Sequence, residues 1–214
     1  MKELSLTEAL AALRPKIGEP YSSLNDALVK HLIETNVADA ALKAGDKIPD
    51  FAMTSAEGEV VKSEELLPTG PLVLSFYRGV WCPFCSTELE ALHHAEPDIR
   101  AAGGRLIAIT AEAGGLPLSV KRERNFKFDI LCDLDNGVGL SFGLVFRLAP
   151  AIIDVFSKDG TDFPLIYGND SWFLPIPATY VVGRDGVIAK AYVNPDFRYR
   201  LDPADIVAAL KAVS

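Results

Sequence analysis

Pro71-Leu72-Val73-Leu74-Ser75-Phe76-Tyr77 runs straight into Arg78-Gly79-Val80-Trp81-Cys82-Pro83-Phe84-Cys85. The first seven residues are too few for a stable helix and apolar at almost every position, which predicts a central strand buried on both faces. Pro83 suits a first helical position, because the N–H it lacks has no partner there anyway. A Cys-x-x-Cys pair therefore sits where a buried strand gives way to a helix. The free N–H groups and the positive dipole end of a first helical turn favour a thiolate. A thiolate is the attacking form of cysteine, so this placement activates the pair.

Downstream, a helical stretch from about Pro83 to Ala102 closes at Gly103-Gly104, with Leu89, Leu92 and Ile99 inward and Pro97 expected to kink or restart it. Arg105–Thr110 and Phe128–Asp133 read as the next strands. Strand–helix–strand order implies a right-handed parallel crossover. Near the C-terminus the pattern becomes a hairpin, Ala178–Val182 and Val187–Val193 around Arg184-Asp185-Gly186, followed by a last helix from about Pro203 to Ala212. Upstream, Phe51–Thr54 and Glu59–Val61 flank a Glu57-Gly58 turn and predict a small hairpin.

Residues 1 to about 44 read as a helical extension. Leu6, Leu10 and Leu13 share one face of a first helix that Ser5 or Thr7 can cap, and Pro15, Gly18 and Pro20 break it. A second helix is expected from about Ser22 to Lys43, with Leu24, Leu28, Leu32 and Ile33 on one face and Gly45 ending it. The expected role is an arm that packs on the body or on a second subunit. The body is then residues 45–214, giving an α/β protein with a mixed central sheet flanked by helices.

Composition narrows the function. Of 214 residues, 49% are hydrophobic and 23% charged, as in an ordinary globular protein. The net charge of −8 leaves no cationic surplus to neutralise nucleic-acid phosphates or an anionic membrane surface. No apolar run approaches the 18 or so residues of a membrane span. Met1-Lys2-Glu3 through Glu8 puts acids where a signal peptide needs bases, so a cytoplasmic location is expected. Three cysteines, Cys82, Cys85 and Cys132, do not make a disulfide-stapled scaffold.

Two quieter explanations of the pair stay open. Zinc wants four ligands, and His93 and His94 lie roughly 12 Å beyond Cys85 along the same helix. Inert packed thiols are the other, weakened by the flanking Trp81 and Pro83. Cys132 reads as a small buried hydrophobe at a strand end, with a resolving role as the lesser alternative. Asp133 and Asp135 read as a solvated turn. Position within the helix makes Cys82 the more exposed and more acidic sulfur, and Cys85 the more crowded.

Three stretches carry a family resemblance: Gly45-Asp46-Lys47-Ile48-Pro49-Asp50-Phe51; Ser75 through Cys85; and Leu174-Pro175-Ile176-Pro177-Ala178-Thr179-Tyr180-Val181-Val182-Gly183-Arg184-Asp185-Gly186-Val187-Ile188. Over about residues 45–213 the chain resembles the thioredoxin-fold superfamily and, within it, the alkyl hydroperoxide reductase/thiol-specific antioxidant, or peroxiredoxin-like, family. The resemblance implies a thioredoxin-like fold and an antioxidant thiol peroxidase. It places Cys85 at the peroxide-reacting position and Cys82 where the family carries a Thr. The family's Arg before its Thr-aromatic strand is replaced here by Pro177. Ile176-Pro177-Ala178-Thr179 instead resembles the cis-proline loop that faces the Cys-x-x-Cys pair in thioredoxins, so Pro177 is expected to be cis and beside the pair. Arg78 is the substitute cation or an anchor for backbone carbonyls. Trp81 is expected to shield the pair, and Trp172 and Phe173 to cover the site or simply pack.

The implied cycle runs from a hydroperoxide to a sulfenic acid, then to a Cys82–Cys85 disulfide, then back to the dithiol through a thioredoxin-like reductant. It requires no cofactor and no metal, and a homodimer is compatible with it. The alternatives are a thiol–disulfide oxidoreductase with little peroxidase activity and a non-enzymatic redox sensor.

Overall fold

The structure, a computed structural model, describes residues 4–113 and 115–213. Helix α1 (Leu6–Leu13) starts at Ser5, whose hydroxyl accepts from the Glu8 N–H while the Glu8 carboxylate takes the Ser5 N–H. This reciprocal cap satisfies two otherwise unpaired donors. Helix α2 (Tyr21–Glu34) ends nine residues before the Lys43 expected from Gly45 as its stop. Asn36 takes a left-handed conformation (φ 51°), and the Thr35 hydroxyl donates to the His31 carbonyl at 2.7 Å, which together close the last turn. Leu28, Val29 and Leu32 form its buried stripe, and Ile33, expected inward, is exposed.

Beyond the first two helices, the Gly45 N–H donates to the Ile188 carbonyl at 2.8 Å. The expected N-terminal hairpin is β1 (Ala52–Ser55) with β2 (Val60–Lys62), followed by the short α3 (Ser63–Leu66). Strand β3 (Leu72–Phe76) leads to α4 (Pro83–Ala101), a helix that continues through Pro97 without interruption. Then follow β4 (Arg105–Thr110), α5 (Leu116–Glu123) and β5 (Asp129–Cys132). The next stretch, without assigned structure at the sequence level, holds α6 (Gly137–Ser141), β6 (Val145–Arg147), α7 (Pro150–Lys158), α8 (Phe163–Tyr167) and β7 (Phe173–Pro175). The chain closes with β8 (Ala178–Val182), β9 (Ile188–Val193) and α9 (Pro203–Lys211).

Seven strands form one mixed sheet in the order β2-β1-β5-β4-β3-β8-β9. β3, β4 and β5 run parallel, and β8 lies antiparallel to β3. β3 is central, so both of its faces are covered and all five residues are buried. Because side chains alternate, Leu72, Leu74 and Phe76 enter one apolar core with Ile107, Ile109, Tyr180 and Phe142. Val73 and Tyr77 face the other way, onto Leu89, Leu92 and Ile99 of α4. That second core also takes in Leu6 and Leu10 of α1 and Leu28 and Leu32 of α2, so the arm packs against the body beside α4.

β6 and β7 pair antiparallel as a separate two-stranded ladder, with Arg147 opposite Phe173. One residue further on, the Leu148 N–H donates to the Trp172 carbonyl at 2.9 Å. Residues 148–172, which carry α7 and α8, are therefore an excursion pinched shut at its base. No helix among the described residues is long and apolar enough to cross a membrane.

Candidate active site

Cys82 is the N-cap of α4 and Pro83 its first residue. The loop from Arg78 to Trp81 connects this helix to β3 and is held from several sides. The Val80 N–H donates to the Glu112 carboxylate at 3.0 Å, and the Ser86 hydroxyl donates to the Val80 carbonyl at 2.9 Å. The Tyr167 hydroxyl donates to the Arg78 carbonyl at 2.7 Å and accepts from the Trp81 indole at 2.8 Å. Gly79 has to be glycine, because a Cβ there would meet the Trp81 ring at 2.4 Å and Glu112 at 2.8 Å.

Both sulfurs are 0% exposed. Helix position predicts exposure for Cys82, and tertiary structure overrides it, because the arm and the 148–172 excursion close over the helix start. The predicted order of acidity holds. Burial alone would push the Cys82 thiol up. A hydrogen bond from Cys85, then the charges of Arg78 and Arg200, reverse that and hold Cys82 well below its ordinary range. Burial pushes Cys85 well up, and its hydrogen bond to Cys82 and that thiolate's charge push it further. The Arg78 guanidinium beside its sulfur favours the negative charge on Cys82. All three cysteines are free thiols.

Each sulfur has its own arginine. Arg78, almost fully buried, donates from Nη2 to Cys82 Sγ at 2.9 Å, and its guanidinium lies 3.6 Å over the Phe197 ring. Arg78 is thus the cation at the pair rather than an anchor for carbonyls. Arg200 lies just beyond β9, far from the motif in sequence. Its Nη2 donates to Cys85 Sγ at 3.4 Å and its Nε to the Glu88 carboxylate at 2.6 Å. The Phe197 and Tyr199 carbonyls accept from its Nη1. Glu88 is one turn beyond Cys85, and burial pushes its carboxyl up to about 7 against the pull of Arg200. Glu112 is likewise pushed up to about 7, chiefly by burial. Sequence reasoning missed Arg200, Glu88, Glu112 and Tyr167, none of which stands in a motif with the cysteines.

Pro177 departs from expectation. The Ile176–Pro177 bond is trans, and the one cis bond among the described residues is Glu19–Pro20. The reason lies in the connection: the Ile176 N–H donates to the Leu144 carbonyl at 2.7 Å and β8 starts at Ala178, so the chain passes extended from one ladder to the next with no turn to make. Pro177 is buried, but the contact from this segment to the site is made by Thr179, whose hydroxyl bonds Glu88. Trp81 packs edge-on against Phe156 and Phe163, with centroids 5.6 and 4.8 Å apart. Trp172 meets Phe163 at 5.6 Å, and Phe173 is exposed.

Cys132 is half-buried at the end of β5, opposite Thr54 and Thr110, and burial raises its thiol pKa. Asp133, expected to be solvated, is buried and caps α6 by accepting from the Val138 and Gly139 N–H groups at 2.8 and 2.7 Å. Among the described residues, no cluster of His, Cys, Asp and Glu could hold a metal ion.

The site can do one kind of chemistry readily. A stabilised thiolate stands beside a guanidinium donor, with a protonated thiol in reach to complete a disulfide. Comparison with known proteins identifies the family. Residues 44–191 match the model of the AhpC/TSA family. The Mycobacterium tuberculosis protein named "Putative peroxiredoxin Rv1608c" is 24% identical over 103 residues, 48% of this chain and 67% of the relative. "Putative peroxiredoxin bcp" of Coxiella burnetii is 26% identical over 105 residues, 49% of this chain and 69% of the relative. The crystal structure of peroxidoxin BcpB from Mycobacterium tuberculosis superposes with a TM-score of 0.64 at 19% identity, covering 81% of this chain and 99% of that one.

Proposed function

The chain belongs to the AhpC/TSA family, and we propose that it is a thiol peroxidase working through a Cys82–Cys85 dithiol/disulfide cycle. The observation that carries this reading is the Arg78 guanidinium 2.9 Å from a Cys82 sulfur held well below its ordinary pKa. A thiolate displaces the alkoxide or hydroxide of a hydroperoxide and becomes a sulfenic acid. The second thiol condenses with it, releases water and leaves the disulfide. Arg78, Trp81, Cys82 and Cys85 form the working set. Arg200 and Glu88 orient Cys85. Pro177, trans and buried just before β8, has a supporting place.

A dithiol donor of the thioredoxin type closes the cycle, and a cytoplasmic location suits its supply. Residues 45–214 would form the catalytic body and residues 1–44 an arm that completes its covering. The second reading is a thiol–disulfide oxidoreductase, which the Cys-x-x-Cys spacing favours. Complete burial of both sulfurs weighs against it, since a small hydroperoxide reaches a covered thiolate more easily than a protein disulfide does. Peroxide consumption with a reducing system, in the wild type and each single Cys variant, tests the proposal alongside insulin reduction. Rapid peroxide loss with slow insulin reduction is expected, and the reverse would install the second reading.

A further inference from the structure

The two arginines at the sulfurs are fixed in different ways. Arg200 is anchored through its guanidinium, by the Glu88 carboxylate and by the Phe197 and Tyr199 carbonyls. Arg78 is tied differently. Its Nη2 goes to Cys82 Sγ, and its buried Nε has no hydrogen-bond partner among the described residues. Ring contacts hold the guanidinium instead, with the Phe197 centroid at 3.6 Å and the Trp81 centroid at 5.2 Å. Where this cation stands therefore depends on where its backbone and the Trp81 ring are placed.

One hydroxyl reaches both. Tyr167 ends α8, and its hydroxyl donates to the Arg78 carbonyl at 2.7 Å while accepting from the Trp81 indole at 2.8 Å. A phenol has a single hydrogen to give, and here it is given to the loop. The first and last residues of the 78–81 loop are thus joined through one atom that belongs to the 148–172 excursion. That atom is well fixed, because the Tyr167 side chain is buried and the Ala113 N–H donates to the neighbouring Ile166 carbonyl at 2.8 Å. Burial, then the charge of Glu112, push the phenol well above its ordinary pKa, so it stays a neutral donor.

We propose that Tyr167 is a positioning residue for the reacting thiol: by clamping both ends of the loop, it holds the Arg78 guanidinium against the Cys82 sulfur and so favours the thiolate. The inference deepens the peroxidase reading and rests on it only for the rate of oxidation. Without the hydroxyl, a buried carbonyl and a buried indole N–H lose their partner, and the loop has to shift to find them others. The attraction between guanidinium and thiolate weakens as the two separate. The titratable and charged groups facing Cys82 are Cys85 on α4, Arg78 on the loop and Arg200 beyond β9, and those facing Tyr167 are Glu112, Arg78 and Cys85. Tyr167 is neutral, so replacing it removes no charge from the site, and its effect on Cys82 has to pass through the loop.

The test follows thiolate absorbance against pH in the reduced protein. Tyr167→Phe keeps the ring and removes the hydroxyl. Its lowest thiol midpoint should rise by about one unit, the low end of what an adjacent opposite charge supplies. The pH profile of oxidation by hydrogen peroxide should move up with it. In an Arg78→Gln background the same substitution should leave the midpoint where Arg78→Gln alone puts it, because the cation it positions is gone. Ile152→Ala opens a cavity in the same excursion, at a side chain buried on α7, and should lower the melting temperature while leaving the titration in place. Trp81→Phe, which removes the indole donor, is read if Tyr167→Phe loses its wild-type far-UV spectrum, and it should raise the midpoint as well. An unmoved midpoint, an equal rise in Ile152→Ala, or a full rise in the Arg78→Gln background would each overturn the inference and leave a peroxidase standing. If peroxide oxidises neither wild type nor variant, the peroxidase reading falls, and the titration still decides the role of Tyr167.

Discussion

The two faces of the central sheet are built to different rules. On the side of Leu72, Leu74, Phe76, Ile107 and Tyr180, the core is carbon packed on carbon, with rings such as Phe76 and Phe142 at 5.0 Å. On the side of α4, the same sheet buries Arg78, Glu88, Glu112 and Arg200. Burying charge is expensive unless each group is paired, and here each has named partners. One face therefore supplies cohesion. The other gives up part of it to hold a thiolate, two guanidinium groups and two carboxyls within a few ångströms of the helix start.

Four tests can break or sharpen that contrast. The largest effect belongs to the sulfurs. Cys82→Ser and Cys85→Ser should each cut steady-state peroxide turnover by on the order of 10³ or more, because loss of either partner ends a two-thiol cycle. Turnover retained in either variant would remove that cysteine from the cycle.

Next comes the buried pair at Cys85. Glu88→Ala leaves the buried Arg200 without its carboxylate, with only carbonyls and the Cys85 sulfur as partners, which should cost about 3–5 kcal/mol in a denaturant melt. Leu74→Ala on the opposite face should cost about 2–5 kcal/mol by leaving a cavity. The two are told apart by the thiolate absorbance at neutral pH, which Leu74→Ala should leave in place and Glu88→Ala should alter. Identical titrations in both variants would mean that the two faces are not chemically distinct.

Arg78→Gln keeps a donor beside Cys82 and removes the charge. The Cys82 pKa should rise, and oxidation should slow by up to roughly 10²-fold, because the charge that stabilises the thiolate is lost. A thiol titration combined with stopped flow checks both. An unmoved titration would return Arg78 to the role of a structural anchor.

The smallest effect is a slope against pH. The folded Glu112 carboxyl is raised to about 7, above the ordinary value of 4.5 that it regains on unfolding. Between those values the folded chain holds a proton that the unfolded chain has lost. Its contribution is full below about pH 4.5 and lost as pH rises through about 7, amounting to about 1–3 kcal/mol. Melting temperature should fall over that interval, and Glu112→Gln should flatten the fall. A slope that survives the substitution belongs to another group, such as Glu88.

The central motif is the most legible part of the sequence because its signals are contiguous. An apolar run, a Pro at a helix start and two cysteines one turn apart together announce strand, helix and reactive pair within fifteen residues. The terminal hairpins and the last helix follow from equally local turn and cap chemistry. What sequence reading lacks is long-range. Arg200 bonds to Cys85 across 115 residues and to Glu88 across 112, and no spacing rule spans such distances. The exposure expected of Cys82 fails for the same reason, since its cover comes from the arm and from residues 148–172. Pro177 shows the limit of a short motif: Ile-Pro-Ala-Thr is compatible with a cis loop, but the flanking hydrogen bond to Leu144 fixes an extended connection. The end of α2 is a milder case, in which Gly45 looks like the stop and the left-handed turn at Asn36 closes the helix sooner.

The pinched base of residues 148–172 has a consequence for interchangeability. Arg147 and Phe173 already face each other as paired strand residues, and Leu148 and Trp172 are already bonded. The chain could pass from one to the other through a two-residue turn and leave the β6–β7 ladder complete. The segment is thus an insertion module carried by a hairpin, and its length is set by neither the sheet nor the cysteine loop. Since loop-closure entropy changes slowly with length, modules of quite different size could occupy the same base. Phe156, Phe163 and Tyr167, the partners of Trp81, all travel with it. Exchanging this one module would re-line the approach to the sulfurs, provided the new segment replaced the bond that Tyr167 makes to the Arg78 carbonyl.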